Sequence, residues 1–270
     1  MENYINKEYY LPLLKNFCEK VIPFYDKGYD QGPFVPYAMP FYKNAPVKVM
    51  YVGRDTLYWE PYKTLYNAYK EDRLEDYLDA NTKCVDVDKM LAWNNNMGSF
   101  WNFADKLHLL IRTGEYCSDI NDIGEKERSI LMEMGYGNLY SIEVLDTLKK
   151  KHEEPNCIAN PEYIAICQAA KPFEMLKTMI EAYLPDVVFV FSWIEKNDFF
   201  DGTDYKWQER WYRESNEQKE YRSVYLSDTF QTKVIWTLHP NALWRKGFKR
   251  EDIVRHLHFL TDTYNQLTNK

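Results

Sequence analysis

Cysteine, glycine and long apolar runs are all scarce in this chain. The five cysteines, Cys18, Cys84, Cys117, Cys157 and Cys167, are an odd number without a C-x-x-C pair. That argues against a disulfide framework or a zinc ribbon and for the reduced thiols of a cytoplasmic protein. Ten glycines in 270 residues are too few for a Gly-rich β architecture. No run approaches the roughly 18 apolar residues of a membrane span. The start, MENYINKEYYLPLLKNF, has acidic residues and no apolar core of the secretory kind, so a signal peptide is not expected. Positive charge is also in the minority. With 34 Lys and Arg against 41 Asp and Glu, the net charge is −7. This favours solubility and disfavours indiscriminate nucleic-acid binding, although a local basic patch can act inside an acidic protein. Only five histidines are present. His108 falls in a helical apolar pattern and reads as structural. His256 and His258 are two residues apart on a helix, do not share a face, and make a poor metal pair. Neither a metal nor a cofactor is expected.

What is abundant is aromatic. Rings make up 17% of the residues, with 23 Tyr and 8 Trp, inside a hydrophobic fraction of 45% that can build a sizeable core. Residues 2–27 carry Tyr9, Leu13, Leu14, Phe17 and Val21 at helical spacing. The proline-rich loop GYDQGPFVPYAMPFYKNAP follows. Four short β-like runs then stand out: Val47–Gly53, Gly137–Val144, Pro185–Ser192 and Lys233–Pro240. Three are nearly continuous apolar runs, as expected of parallel strands covered on both faces. Helical patterns lie between them, in GSFWNFADKLHLLIRTG and in NPEYIAICQAAKPFEMLKTMIEAYL, the latter with Asn160 as N-cap and Pro161 at the first helical position. A closing helix is expected over 249–265. The alternation predicts an α/β fold, a three-layer α/β/α sandwich with a central, mainly parallel four-stranded sheet. One domain spans 1–270. It carries an N-terminal helical and loop extension (1–46) and a polar, aromatic insertion around 194–230.

In such sheets ligands bind at the carboxyl ends of the strands. That rule selects Gly53-Arg54-Asp55-Thr56 after the first run, Asn138 near the start of the second, Ser192 and Trp193 after the third, and His239-Pro240-Asn241-Ala242-Leu243-Trp244 followed by Arg245-Lys246-Gly247 after the fourth. The ordered set VGRDTLYW, a strand beginning with Asn, and LHPNALWRKG resembles the uracil-DNA glycosylase superfamily. Gly53, Asp55 and His239-Pro240 match the family's first and last motifs in type and order. Leu243 falls where the family carries a wedge leucine, and RKGFKREDIVRHL resembles the basic turn and helix that follow. The matched segments run over about three quarters of the chain, with identity confined to short motifs. Thr56 replaces a proline, Leu57 or Tyr58 takes the place of a barrier tyrosine, Asn241 replaces a serine, and the iron–sulfur cysteines of some branches are missing. The target base is left open by these departures.

The resemblance implies a uracil-DNA glycosylase-like sandwich and a hydrolase that removes uracil or a related damaged base from DNA. Cleaving the N-glycosidic bond builds positive charge on the sugar and negative charge on the base. Asp55 suits the first, by stabilising the cation and orienting water. His239 suits the second, as a donor to a base carbonyl. Asn138 can present donor and acceptor to a pyrimidine edge, with Gly53, Tyr58 and Phe100 lining the base site. Leu243 suits the space a flipped base leaves, and Arg245, Lys246, Lys249 and Arg250 suit phosphates. The implied partner is DNA with a flipped base, met by a monomer; no membrane is involved. Each residue also has a plainer reading: Asp55 as a turn cap, His239 as a strand-end histidine, Asn138 as turn chemistry, Leu243 and Trp244 as core, the basic cluster as a solvated helix start. The alternative function is a non-catalytic nucleobase, nucleic-acid or protein-binding module on the same fold.

Overall fold

A computed structural model describes residues 3–25, 32–55, 65–83, 88, 91, 99–142, 161–214 and 219–268. The chain opens with helix α1 (Lys7–Tyr25), followed by the two-residue strand β1 (Tyr37–Ala38) and strand β2 (Val49–Asp55). Helices α2 (Leu65–Lys70), α3 (Leu74–Lys83), α4 (Phe100–Thr113) and α5 (Glu125–Leu131) lead to strand β3 (Met134–Tyr140). Helices α6 (Pro161–Ala170) and α7 (Leu176–Tyr183) precede β4 (Val187–Ser192). A hairpin of β5 (Lys206–Glu214) and β6 (Lys219–Leu226) comes before β7 (Lys233–Leu238), α8 (Pro240–Arg245) and α9 (Arg250–Thr268).

These strands form one seven-stranded mixed sheet in the order β1-β3-β2-β4-β7-β6-β5. Its centre, β3-β2-β4-β7, is parallel. The expected four-stranded sheet is therefore too small: an antiparallel strand flanks each side of the parallel centre. Burial explains the centre. Every residue of β4 is buried, as is Val49–Val52 of β2, so both faces are apolar. Helices cover both. On one face, Tyr51 OH lies 3.1 Å from His108 Nδ1 of α4 and Thr237 Oγ1 lies 2.8 Å from His256 Nε2 of α9. On the other, α7 presses on β3, and Tyr183 of α7 is ringed by Tyr10 of α1 and by Tyr42.

Two sequence expectations are corrected. The strand placed at 137–144 runs over Met134–Tyr140. Its glycines resemble turn residues, but they mark close packing: a Cβ on Gly137 would stand 2.8 Å from Met179 Cε, and one on Gly135 3.1 Å from Tyr42 Cε2. The single helical pattern through 160–184 is broken by a 3-10 turn at Lys171–Phe173, where Pro172 removes a donor. The insertion expected around 194–230 holds, after a short 3-10 turn, the β5–β6 hairpin, which extends the sheet edge through Ser223↔Trp236. Its charged, exposed β5 start suits an edge strand. Within the N-terminal extension, β1 pairs with β3 and α1 buries Tyr10, Leu14, Phe17 and Val21. The cap expected at Asn160 lies outside the described residues. No helix among the described residues is long and apolar enough to cross a membrane.

Candidate active site

The connection leaving β2 heads for β3, and the one leaving β4 heads toward β7. These two adjacent strands therefore part at their carboxyl ends, which is where an open sheet leaves a crevice. Gly53 lies at this end of β2, in register with Asn138 of β3. Asn138 was expected at the start of its strand; the true strand ends only two residues later, so it stands at the carboxyl edge. A Cβ on Gly53 would lie 2.8 Å from Asn138 Oδ1 and 3.3 Å from Phe100 Cε2. The missing side chain is what lets the amide and the ring close on the strand end. Phe100 is held there by the first turn of α4, whose N-cap Ser99 Oγ accepts the Asn102 N–H. Its ring meets Trp101, Tyr136 and Phe191 edge-on, at centroid distances of 5.1, 6.3 and 5.7 Å.

His239 follows β7 and is pinned by its backbone, whose N–H donates to Ser192 O at 3.0 Å. Its Nδ1 accepts the Asn241 N–H at 3.2 Å. Burial, and then the positive charge of Arg54, lower its pKa to about 4. The ring is thus neutral near pH 7. With Nδ1 accepting, its proton sits on Nε2, a hydrogen-bond donor. Asp55 closes β2 opposite Tyr140; its side chain and all of Tyr58 lie outside the described residues.

The residues expected to contact DNA separate. Leu243 is corrected from wedge to core: it is completely buried, because α8 turns its apolar side inward. Arg245 is exposed and its guanidinium sits 4.6 Å from the Trp193 ring centroid. Lys246 lies 5.1 Å over Tyr221. Lys249 donates its backbone N–H to Asp252 at the start of α9, and the charge of Arg250 is felt by Lys106 and Tyr116, away from the sheet edge.

Two residues the sequence did not flag hold this edge together. Glu174, in the bend made by Pro172, accepts the Ser141 N–H at 2.9 Å and the Ser141 hydroxyl at 3.1 Å. Its other oxygen takes Lys196 Nζ at 2.7 Å, and Lys196 also donates to Leu139 O. This buried pair ties the end of β3, beside Asn138, to the segment after β4. Only Pro172 hinted at it, by marking a bend.

A cavity of about 360 Å³ opens beside Trp193, between Leu238 and Ser223. A larger one, of about 890 Å³, lies at the opposite edge of the sheet, between α4 and α5. Its charged lining includes Arg112 and Glu133, paired at 2.9 Å. The smaller one reaches Leu238, the residue before His239, but Gly53, Phe100, Asn138 and His239 line neither cavity, so chemistry rather than volume marks the site. No protein-family model matches this chain, and no curated protein or solved structure matches it.

Proposed function

We propose that this chain is a hydrolase of the uracil-DNA glycosylase type, on a sandwich of that kind, cleaving the N-glycosidic bond of uracil or a related damaged base in DNA. The observation that carries the reading is the convergence of Gly53, Asn138 and Phe100 at one strand end, on the carboxyl edge where His239 is held neutral. Phe100 offers a ring on which a flipped base stacks. Asn138 supplies a donor and an acceptor to a pyrimidine edge. Nε2–H of His239 donates to the base oxygen that gains negative charge as the bond breaks. Asp55 is assigned the sugar side, stabilising the cation and orienting the water. That water's oxygen joins C1′ and a proton passes to the departing base. Net charge of −7 and Thr56 in place of a proline favour the second reading, a nucleobase-binding module without hydrolysis.

The test uses single-stranded and duplex oligonucleotides carrying one uracil, with alkali to reveal abasic sites. Wild-type protein is expected to give strand breaks. His239→Ala is expected to lower the rate by about 10²–10³-fold, the usual cost of losing a preorganised donor, and Asp55→Asn to abolish breaks. Folded wild-type protein that leaves every uracil intact rejects uracil excision.

A further inference from the structure

The end of β3 is held by side chains where a strand would otherwise hold it. Among the described residues β1 reaches the outer edge of β3 only at Gly135 and Tyr136, so the stretch from Gly137 onward has no strand beside it on that side. Lys196 Nζ donates to Leu139 O, and Glu174 accepts the Ser141 N–H at 2.9 Å and the Ser141 hydroxyl at 3.1 Å. The Ser141 carbonyl is taken as well, by the Phe34 N–H at 2.7 Å. Glu174 and Lys196 close on each other at 2.7 Å, and Lys196 lies 4.2 Å from the Tyr140 ring centroid. Leu139, Tyr140 and Ser141, which directly follow Asn138, therefore all touch this pair.

The pair also reaches across the sheet. Lys196 follows β4, and β4 and β3 are the two neighbours of β2, roughly 10 Å apart at two strand spacings. The contact thus fixes their separation at the carboxyl end of β2, where Gly53 stands in register with Asn138. A chain of charges backs it: Asp198 lies 3.9 Å from Lys196 and pairs with Lys171. A buried ion pair adds little net stability over an apolar pair of the same volume, so its contribution is geometric. We propose that Glu174 and Lys196 are positioning residues, which set the distance at which Asn138 meets the pyrimidine edge and so govern base binding rather than bond cleavage. This role rests on the reading of Asn138 as the base-binding amide. The contact of that amide with the base forms before the bond breaks and persists while it breaks. Its loss therefore raises KM and leaves kcat nearly unchanged.

The test compares wild type with Glu174→Gln/Lys196→Met, which leaves no buried charge uncompensated, by amide hydrogen exchange and by uracil-excision kinetics. Exchange at Leu139, Tyr140 and Ser141 is expected to speed up about tenfold while β4 and β7 stay protected. KM is expected to rise about tenfold, the usual worth of one hydrogen bond, with kcat within about twofold of wild type. Ser141→Ala keeps both charges and is expected to show the same pattern at smaller amplitude, which decides the matter should the double variant not fold. Glu133→Gln, which removes one charge of the ion pair at the opposite edge, is the control and is expected to move neither readout. Faster exchange across the whole sheet, unchanged exchange at Leu139–Ser141, or a fall in kcat at constant KM would overturn the proposal. Where wild type excises nothing, uracil titrated into the protein takes the place of KM. Uracil binding that weakens about tenfold in the double variant then rejects the hydrolase reading and leaves this one standing. No uracil binding at all overturns both.

Discussion

The two edges of the parallel sheet differ in how their polar groups are spent. At the amino edge, charges are paired within the protein. Arg112 and Glu133 face each other at 2.9 Å, and Asp186 accepts the Lys48 N–H that opens β2 at 2.8 Å. That edge has the larger cavity, yet its strongest groups already have partners. At the carboxyl edge the buried Glu174–Lys196 pair is likewise complete, but it serves as a frame. Around it stand a neutral imidazole with a donor proton on Nε2, an amide pressed to a glycine, and exposed aromatic rings. A site is recognised by groups held in place and still able to bond outward. Empty volume beside an ion pair such as Arg112–Glu133 is a weaker signal.

The comparison breaks most sharply at the frame. Lys196→Met leaves the Glu174 carboxylate buried without its cation, at an expected cost of about 3–5 kcal/mol. Urea unfolding would read this as a lower midpoint with an unchanged slope. Glu174→Gln together with Lys196→Met is expected to recover part of that loss. At the amino edge, Glu133→Gln is expected to destabilise by about 1–2 kcal/mol, since the pair is partly exposed and partly screened. On the proposed hydrolase reading, base release at saturating substrate is expected to stay unchanged.

Acid sharpens the contrast. His108 and His256, in the helical layer, have pKa values lowered from 6.5 to about 3 by burial, and His239 at the site is lowered to about 4. The unfolded chain takes up these protons first. Their contribution is therefore fully present above pH 6.5 and is lost as pH falls toward the folded values, at about 1.4 kcal/mol per unit of pH for each histidine. Melting temperature is expected to drop steadily between pH 6.5 and 4. His256→Gln, which removes one titrating group, is expected to flatten that slope. The smallest effect is Gly53→Ala. The new Cβ meets the flexible end of Asn138 and the Phe100 ring, so stability is expected to fall by only about 1 kcal/mol. On the proposed reading, base binding is expected to suffer more, because both neighbours must move away from the strand end.

Much of the scaffold was legible in the chain. Runs such as VVFVFS and KVIWTL can be buried on both faces only in a covered parallel sheet, and the rule that ligands gather at carboxyl strand ends then selects Gly53 and His239. The β5–β6 hairpin was hidden because an exposed edge strand needs little apolar pattern, and its charges read as loop. Asn138 was placed at the wrong end of its strand, because glycines that admit Met179 and Tyr42 look, in sequence, like glycines that turn.

Periodicities, apolar runs and the order of the strand-end residues are already written in the chain, since these depend on neighbours a few positions apart. That Gly53 closes on Asn138 and Phe100, that Leu243 is core, and that Glu174 clamps Lys196 emerges only on folding. Those outcomes depend on which surfaces meet across dozens of residues of chain. Burial and close approach are properties of the packed whole, and no local pattern encodes the partner a side chain will find.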